Sequence, residues 1–200
     1  MDNGDKNAIF LQRAVAFFID AIILTFCVSM IAGFFVNTTA IDKINTQLQD
    51  LIINLENSEI SYASYVKEVA VLGLQSQKLN GMTTLITILF EILYFVVYPI
   101  YNSGQTIGKK LLNIKIVSKN GELTMNQMIG RGLLVNSILL NMILIAVVTF
   151  VNDPMHYLYI NGSFELLQYM FYFITILMVM FRKDHVSLHD VITNTRVIKL

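Results

Sequence analysis

The chain has 200 residues, of which 55% are hydrophobic and 14% charged, and its mean hydropathy is +0.61. Soluble domains carry about 25% charged residues, so this composition indicates a membrane protein that has the lipid bilayer as its main partner. The 14 basic and 14 acidic residues balance, which argues against a nucleic-acid-binding surface, and the single cysteine, Cys27, excludes an internal disulfide framework. We expect a single membrane domain over residues 1–200, with no enzyme activity, no cofactor and no metal site.

Four apolar segments predict transmembrane helices, at about residues 14–36, 82–101, 133–151 and 164–181. Each is close to the length of about 20 residues that a helix needs to cross a bilayer. The first segment is longer than the apolar core of a signal peptide and no small-residue cleavage site follows it, so we interpret it as a retained span. The predicted fold class is therefore an all-α membrane protein with four transmembrane helices.

The connection between the first two predicted spans, residues 39–80, carries an amphipathic pattern. Its apolar residues recur at intervals of three and four, which places them on one face of a helix, and a second amphipathic run follows Asn57 and Ser58. The pattern predicts a helical hairpin. The mutual packing of its two helices is the preferred interpretation, and an oligomer contact is the alternative. The residues of the first stripe are Ile41, Ile44, Leu48, Leu51 and Leu55.

A small β-structure is predicted from two other parts of the chain. Residues 109–126 alternate loosely around Asn120-Gly121, a dipeptide that favours tight hairpin turns. In the tail, residues 182–200, a strand-like alternation runs from Thr195 to Leu200. Together these segments predict a three-stranded patch, which is about the minimum for a stable sheet.

The basic residues predict how the chain is oriented in the membrane. Eleven of the 14 lysines and arginines lie in residues 1–13, 102–132 and 182–200, and the other three lie in residues 37–81. Cytoplasmic loops carry the excess of basic residues. We therefore expect both termini and the β patch in the cytoplasm, and the helical hairpin outside.

Three polar residues within the predicted spans are candidates for a functional site. Counted from the cytoplasmic ends of their spans, Asp20, Glu91 and Asn141 lie at similar depths of roughly 12–15 Å. A carboxylate at the centre of a membrane helix costs at least about 2.5–3.5 kcal/mol, so it usually has a function. The structural alternative is that Asp20 pairs with an arginine such as Arg131 and holds helices together.

Three short segments carry a family resemblance: Arg13 to Asp20, the Gly104 to Val117 run, and Leu188-His189-Asp190 with Thr195 and Val197. In this order they resemble the RDD family of bacterial membrane proteins. The resemblance implies that Arg13, Asp20 and Asp190 are the name-giving residues. The chain departs from the family pattern at Ile107, where a proline is usual, and in the long 37–81 insertion. The central motif comprises Gly104, Gln105, Thr106, Gly108 and Lys109.

The resemblance implies a multi-pass protein of the bacterial inner membrane that contributes to transport. The resemblance also implies cation/proton exchange, to which some members of the family are linked. The intramembrane carboxylates suit this chemistry, and we expect Asp20 and Glu91 alternately to bind a proton and a small cation. A homo-oligomer is expected because four helices make a thin bundle for a pathway. The alternative is a non-transporting scaffold or accessory subunit whose buried polar residues hold the helices in place.

A separate hypothesis concerns Asp190, which follows the last predicted span by about nine residues. We expect it to accept a hydrogen bond from the backbone or from a basic side chain, at Lys109–Lys110 or at Arg13. Such a contact would hold the strand that begins at Thr195 against the hairpin at Asn120-Gly121.

Overall fold

The computed structural model describes residues 7–200, and most of them are helical. The described residues form ten α-helices and two strands, β1 (Ile114–Ser118) and β2 (Thr195–Lys199). A π-helical segment, Ile92–Val97, joins the fourth and fifth helices into one continuous helix, Gly81–Tyr101. The helices are α1 (Phe10–Ala32), α2 (Thr38–Glu56), α3 (Tyr62–Leu79), α4 (Gly81–Glu91), α5 (Tyr98–Tyr101), α6 (Ile107–Leu111), α7 (Met125–Val135), α8 (Ile138–Phe150), α9 (Pro154–Phe181) and α10 (Leu188–Ile192).

Three helices of the described chain are long and apolar enough to cross a membrane: α1, the continuous helix Gly81–Tyr101, and α9. A bend of 67° separates α7 from α8, and this pair makes a fourth span if it crosses as one unit. This architecture confirms an all-α membrane protein. The helix α9 begins ten residues before the predicted start at 164, because Pro154 occupies its first turn and the Asp153 side chain accepts from the His156 backbone N–H.

The predicted helical hairpin is present as α2 and α3. Asn37 caps α2 and Ser61 caps α3, each through a side-chain oxygen that accepts a backbone N–H. Of the predicted stripe on α2, Ile44 is buried. The hairpin also packs against α9, where Gly73 approaches the ring of Tyr157. At about 42 Å, the 28-residue α9 is longer than a hydrocarbon core of about 30 Å, so it can span and still contact the hairpin.

The β patch is present, but its predicted hairpin over residues 109–126 is wrong. The strands β1 and β2 pair antiparallel, with Ile116 opposite Val197, and Ala8 adds a backbone hydrogen bond of 2.9 Å to Val197. Residues 122–124 form no strand, because Thr124 and Gln127 make a reciprocal capping box that starts α7. The third segment of the patch is therefore the chain around Asn7, which bridges to Ile198.

The buried core lies where the sheet meets the helices, at the end of the bundle that we call the sheet end. Ala16 of α1, Met128 of α7 and Ile138 of α8 pack there with Ile114 and Val197 of the two strands. In contrast, α1 exposes large apolar side chains, including Phe18, Phe26 and Met30, along its outer face. The sheet end is therefore the packed part of the molecule, and the outer helix faces are suited to lipid.

Candidate functional site

Asp190 lies at the centre of a buried ionic cluster at the sheet end. It is the third residue of α10, where its carboxylate accepts from the Ser187 backbone N–H while the Ser187 hydroxyl caps the helix. Arg13 of α1 donates to one carboxylate oxygen at 2.5 Å, and Arg131 of α7 donates to the other. The carboxylate side chain is fully buried. One aspartate thus joins three helices that are distant in sequence.

The same two arginines also hold the second strand. Arg131 donates to the Thr195 hydroxyl at 2.5 Å, and Arg13 donates to the Val197 carbonyl at 3.4 Å. Burial on its own would raise the pKa of Asp190, but the two guanidinium groups hold this pKa well below its usual range. Asp190 is therefore ionised at neutral pH, and the cluster fastens β2 to α1 and α7.

His189, the neighbour of Asp190, is a neutral side chain within this cluster. Its Nε2 lies 2.9 Å from the Ser187 hydroxyl. Burial, with the nearby Arg131 charge, lowers the pKa of His189 to about 3. Its Nδ1 is buried and has no hydrogen-bond partner within residues 7–200.

Asp20 forms a second buried cluster, built from the central motif. Thr106 donates from its hydroxyl at 2.5 Å, Gly108 from its backbone N–H at 2.7 Å, and Tyr94 from its hydroxyl at 2.7 Å. The Lys109 ammonium lies 3.8 Å from the same carboxylate. Thr106 is also the N-cap of α6, so the motif places the first turn of α6 directly on α1.

The glycines of the motif allow these close approaches. A Cβ on Gly108 would lie 2.8 Å from an Asp20 carboxylate oxygen and would overlap the Ala16 carbonyl. Gly104 has a φ of +81° and lies against the backbone of Ile116, whose N–H donates to the Gly104 carbonyl at 2.9 Å. Gln105 donates to the Ile114 carbonyl at 2.9 Å, so the motif is anchored to β1 as well as to α1.

Lys109 is the cation of this second cluster. Burial lowers the pKa of Lys109 to about 8, and the nearby Asp20 charge opposes that shift. With a pKa near 8 the ammonium is mostly charged at neutral pH, which suits its position beside a buried carboxylate.

Glu91 is a buried carboxylate with far fewer partners. It is 7% exposed, and its hydrogen bond within the described chain comes from the Asn141 amide of α8 at 3.3 Å. The π-helical segment begins at the next residue, Ile92. Asn141 lies one turn after the break between α7 and α8, where Ser137 adopts a left-handed φ of +59°. Glu91 therefore lies where two irregular helices, its own and the bent α7–α8 pair, contact each other.

The sequence predicts that Asp20, Glu91 and Asn141 lie at a similar depth in the membrane, but the structure places them in two separate clusters. The Asp20 partners described above do not include Glu91 or Asn141, which contact each other. The alternative in which Asp20 pairs with Arg131 is wrong, because Arg131 donates to Asp190. Of the donors expected for Asp190, Arg13 makes the contact, whereas Lys109 approaches Asp20. The strand that begins at Thr195 pairs with β1, and not with a hairpin at Asn120-Gly121 as expected.

Three residues complete these clusters through contacts that the sequence-based predictions do not include. Tyr94 lies one turn after Glu91 on the same helix, and its hydroxyl donates to Asp20 although the two residues are 74 apart in sequence. Ser187 stands three residues before Asp190, a spacing typical of a capping box, so a local signal existed. The contact of Thr195 with Arg131 joins residues 64 apart in sequence, and no local pattern indicates it.

The family model described as the RDD family matches residues 8–194. This match covers nearly the whole chain and includes the three buried carboxylates, Asp20, Glu91 and Asp190. No curated protein and no solved structure matches the chain.

Proposed function

The chain belongs to the RDD family, and from this premise we propose that it exchanges a small cation for a proton across the bacterial inner membrane, with Glu91 as the exchanging group. The proposal rests on the surroundings of the Glu91 side chain. This carboxylate is buried in a candidate span, where a charge is costly, and it has one amide partner within the described residues. Such a group can gain and lose a proton or a cation without breaking an ion pair.

The helix irregularities beside Glu91 support the same proposal. Single π-helical turns in helices are frequent at functional sites, and the segment Ile92–Val97 follows Glu91 directly. Discontinuous helices are a common feature of ion sites in transporters, because interrupted turns free backbone carbonyls to coordinate a cation. The 67° bend between α7 and α8 supplies such an interruption near Asn141.

The other two buried carboxylates fit a supporting role better than an exchanging one. Asp20 accepts three hydrogen bonds and faces the Lys109 ammonium, and Asp190 binds two arginines. Releasing either carboxylate would leave buried cations or donors without partners, which is costly. We therefore assign the exchange to Glu91 and place Asp20 in the supporting frame, because Tyr94 links it to the helix that carries Glu91.

The proposal includes a membrane arrangement. The chain crosses four times, with α7 and α8 as one bent span, both termini in the cytoplasm and the α2–α3 hairpin outside. Two copies associate through exposed apolar helix faces. The face of α9 is an example, because little of this helix is buried within one copy.

The proposal is tested by reconstituting the purified protein into liposomes that contain a pH-sensitive dye and measuring the internal pH. With an imposed pH gradient, addition of Na⁺, K⁺ or Li⁺ should dissipate the gradient for the wild type. Glu91→Gln keeps the side-chain shape but cannot ionise, so we expect it to lose at least about tenfold in rate while its melting temperature stays close to that of the wild type. Glu56→Gln, at an exposed position at the end of α2, is the matched control and should retain the wild-type rate.

A second function, a non-transporting scaffold, is favoured by the buried Arg13–Asp190–Arg131 cluster, because such clusters commonly hold elements in register. A scaffold predicts no cation-dependent exchange by the wild type. It also predicts that Asp20→Asn and Glu91→Gln lower the yield of folded protein. Exchange that is lost in Glu91→Gln, with folding intact, contradicts the scaffold.

A further inference from the structure

A cavity of about 390 Å³ lies between α1 and α9 near the sheet end. Its walls are largely apolar and include Ala14, Phe17 and Phe18 of α1 and Ile176 and Val179 of α9. Phe17 and Phe18 are 46% and 66% exposed, so the cavity opens sideways onto the apolar outer surface. In a membrane this opening faces acyl chains, and a ligand can enter from the bilayer.

The inner end of the cavity is positively charged. Arg13, Lys109 and Arg131 line it, whereas their carboxylate partners Asp20 and Asp190 are fully buried and do not. Three cations against two carboxylates leave one positive charge at this end. The two arginines also help to lower the pKa of Lys109, so the cations repel one another. A ligand with a negative group would relieve this repulsion.

Two buried polar atoms along the cavity have no hydrogen-bond partner in the described part of the chain: His189 Nδ1 and Thr175 Oγ1. The Ser187 hydroxyl accepts from the Asp190 backbone N–H, so its own proton is available to His189 Nε2. In that arrangement Nδ1 carries the single N–H proton of the neutral ring and is a donor with no partner among the described residues. Buried donors normally have partners, and a phosphate oxygen would supply one.

We propose that the cavity binds one anionic phospholipid of the bilayer, with its phosphate against Arg13, Lys109 and Arg131 and one acyl chain along Phe17, Phe18 and Ile176. The charge of the inner end favours an anion, and the apolar walls with a lateral opening favour a lipid over a free phosphate ion. This proposal is independent of ion exchange at Glu91, which lies in a different cluster.

The first test measures the melting temperature of the full-length protein, purified free of lipid in a non-ionic detergent. Phosphatidylglycerol at about 100 times its Kd should raise the melting temperature by roughly 5–10 °C. Phosphatidylcholine, oleate and inorganic phosphate should have little effect. Thr175→Trp fills the cavity and should abolish the shift, whereas Ile174→Trp, on the neighbouring exposed face of α9, should retain it.

A second test does not depend on how the variants fold. Phosphatidylglycerol with a photoactivatable acyl chain should label wild-type peptides from α1 and α9 that contain cavity residues, and unlabelled phosphatidylglycerol should compete. Equal stabilisation by phosphatidylcholine, a response to oleate or phosphate alone, an unchanged shift in Thr175→Trp, or labelling spread evenly over all helices would each overturn the proposal.

Discussion

At the scale of single residues, three buried carboxylates differ in what surrounds them. Asp190 binds two arginines, Asp20 binds neutral donors with one ammonium nearby, and Glu91 binds one amide. A buried charge is stable only when its partners compensate the lost hydration. Because the folded-state pKa of Asp190 is lowered, its ionised form stabilises the fold above the unfolded value of about 3.9, and this stabilisation is lost as the pH falls through the folded pKa.

Asp190→Ala should strongly destabilise the protein, because it leaves Arg13 and Arg131 buried without their counter-charge. Removal of one partner from a buried ion pair costs about 3–5 kcal/mol. We expect a lower melting temperature and faster proteolysis after residue 182, where β2 is no longer held by the two arginines. Thermal denaturation in detergent and limited proteolysis measure these effects.

The matched control for this prediction is Asp184→Ala, which removes an exposed carboxylate paired with Arg182 at 2.8 Å. Exposed pairs contribute at most about 1 kcal/mol, so this variant should stay close to the wild type. If Asp190→Ala abolished ion exchange while the melting temperature and the protection of the tail stayed unchanged, Asp190 would belong to the transport path and its structural role would be wrong.

At the scale of elements, two short helices place the buried carboxylates. The helix α6 brings the Gly108 backbone N–H to Asp20, and α10 carries Asp190 to the arginines. Both begin with a hydroxyl N-cap, Thr106 or Ser187. Helices of five residues are unstable alone, so α6 depends on its packing against α1 and β1, and α10 depends on its packing against α7, α9 and β2.

Gly108→Ala should separate α6 from α1. The added methyl group would overlap the Ala16 carbonyl and crowd the Asp20 carboxylate. The overlap is between the backbones of α6 and α1, so a change of side-chain rotamer cannot relieve it. Overpacking of this kind costs about 1–3 kcal/mol, which should lower the melting temperature by several degrees. Thermal denaturation tests this prediction.

Gly162→Ala is the control for this element, because a Cβ at Gly162 in α9 meets no atom within 4 Å. Alanine favours a helix relative to glycine, so the control should be neutral or slightly stabilising. Equal melting temperatures for Gly108→Ala and the wild type would show that α6 does not pack as closely on α1 as the structure indicates.

At the scale of the whole molecule, the sheet end and the α2–α3 hairpin lie at opposite ends of the helix bundle. The strands and α10 pack near the start of α1, whereas the hairpin connects the end of α1 to the start of α4. The distribution of basic residues predicts that the sheet end faces the cytoplasm.

Single cysteines test this orientation in a Cys27→Ser background. A cysteine at Ser58, between α2 and α3, or at Asn152, between α8 and α9, should react with an impermeant thiol reagent in intact cells. A cysteine at Asn120, beside β1, should react only after the cells are opened. All three positions are exposed in the structure, so burial does not explain a lack of labelling. Labelling at Asn120 with protection at Ser58 would reverse the topology.

The sequence by itself determined the elements whose signal is local. Apolar length predicts the spans, helical periodicity predicts the α2–α3 hairpin, and the alternation from Thr195 predicts β2. Each of these patterns depends on which residues close in sequence contact lipid, water or the protein core. Local patterns can also compete, as in residues 122–126, where the capping box of Thr124 and Gln127 started α7 and displaced the predicted return strand.

Only the tertiary structure decided which partner each buried charge has. Asp190 meets Arg13 from 177 residues away and Arg131 from 59 residues away, and Asp20 meets Gly108 from 88 residues away. Several cations in the sequence could satisfy either carboxylate, and the spacing along the chain does not distinguish them. The choice follows from how α6 and α10 dock, because a buried charge is compensated only by the groups that close packing brings within hydrogen-bond distance.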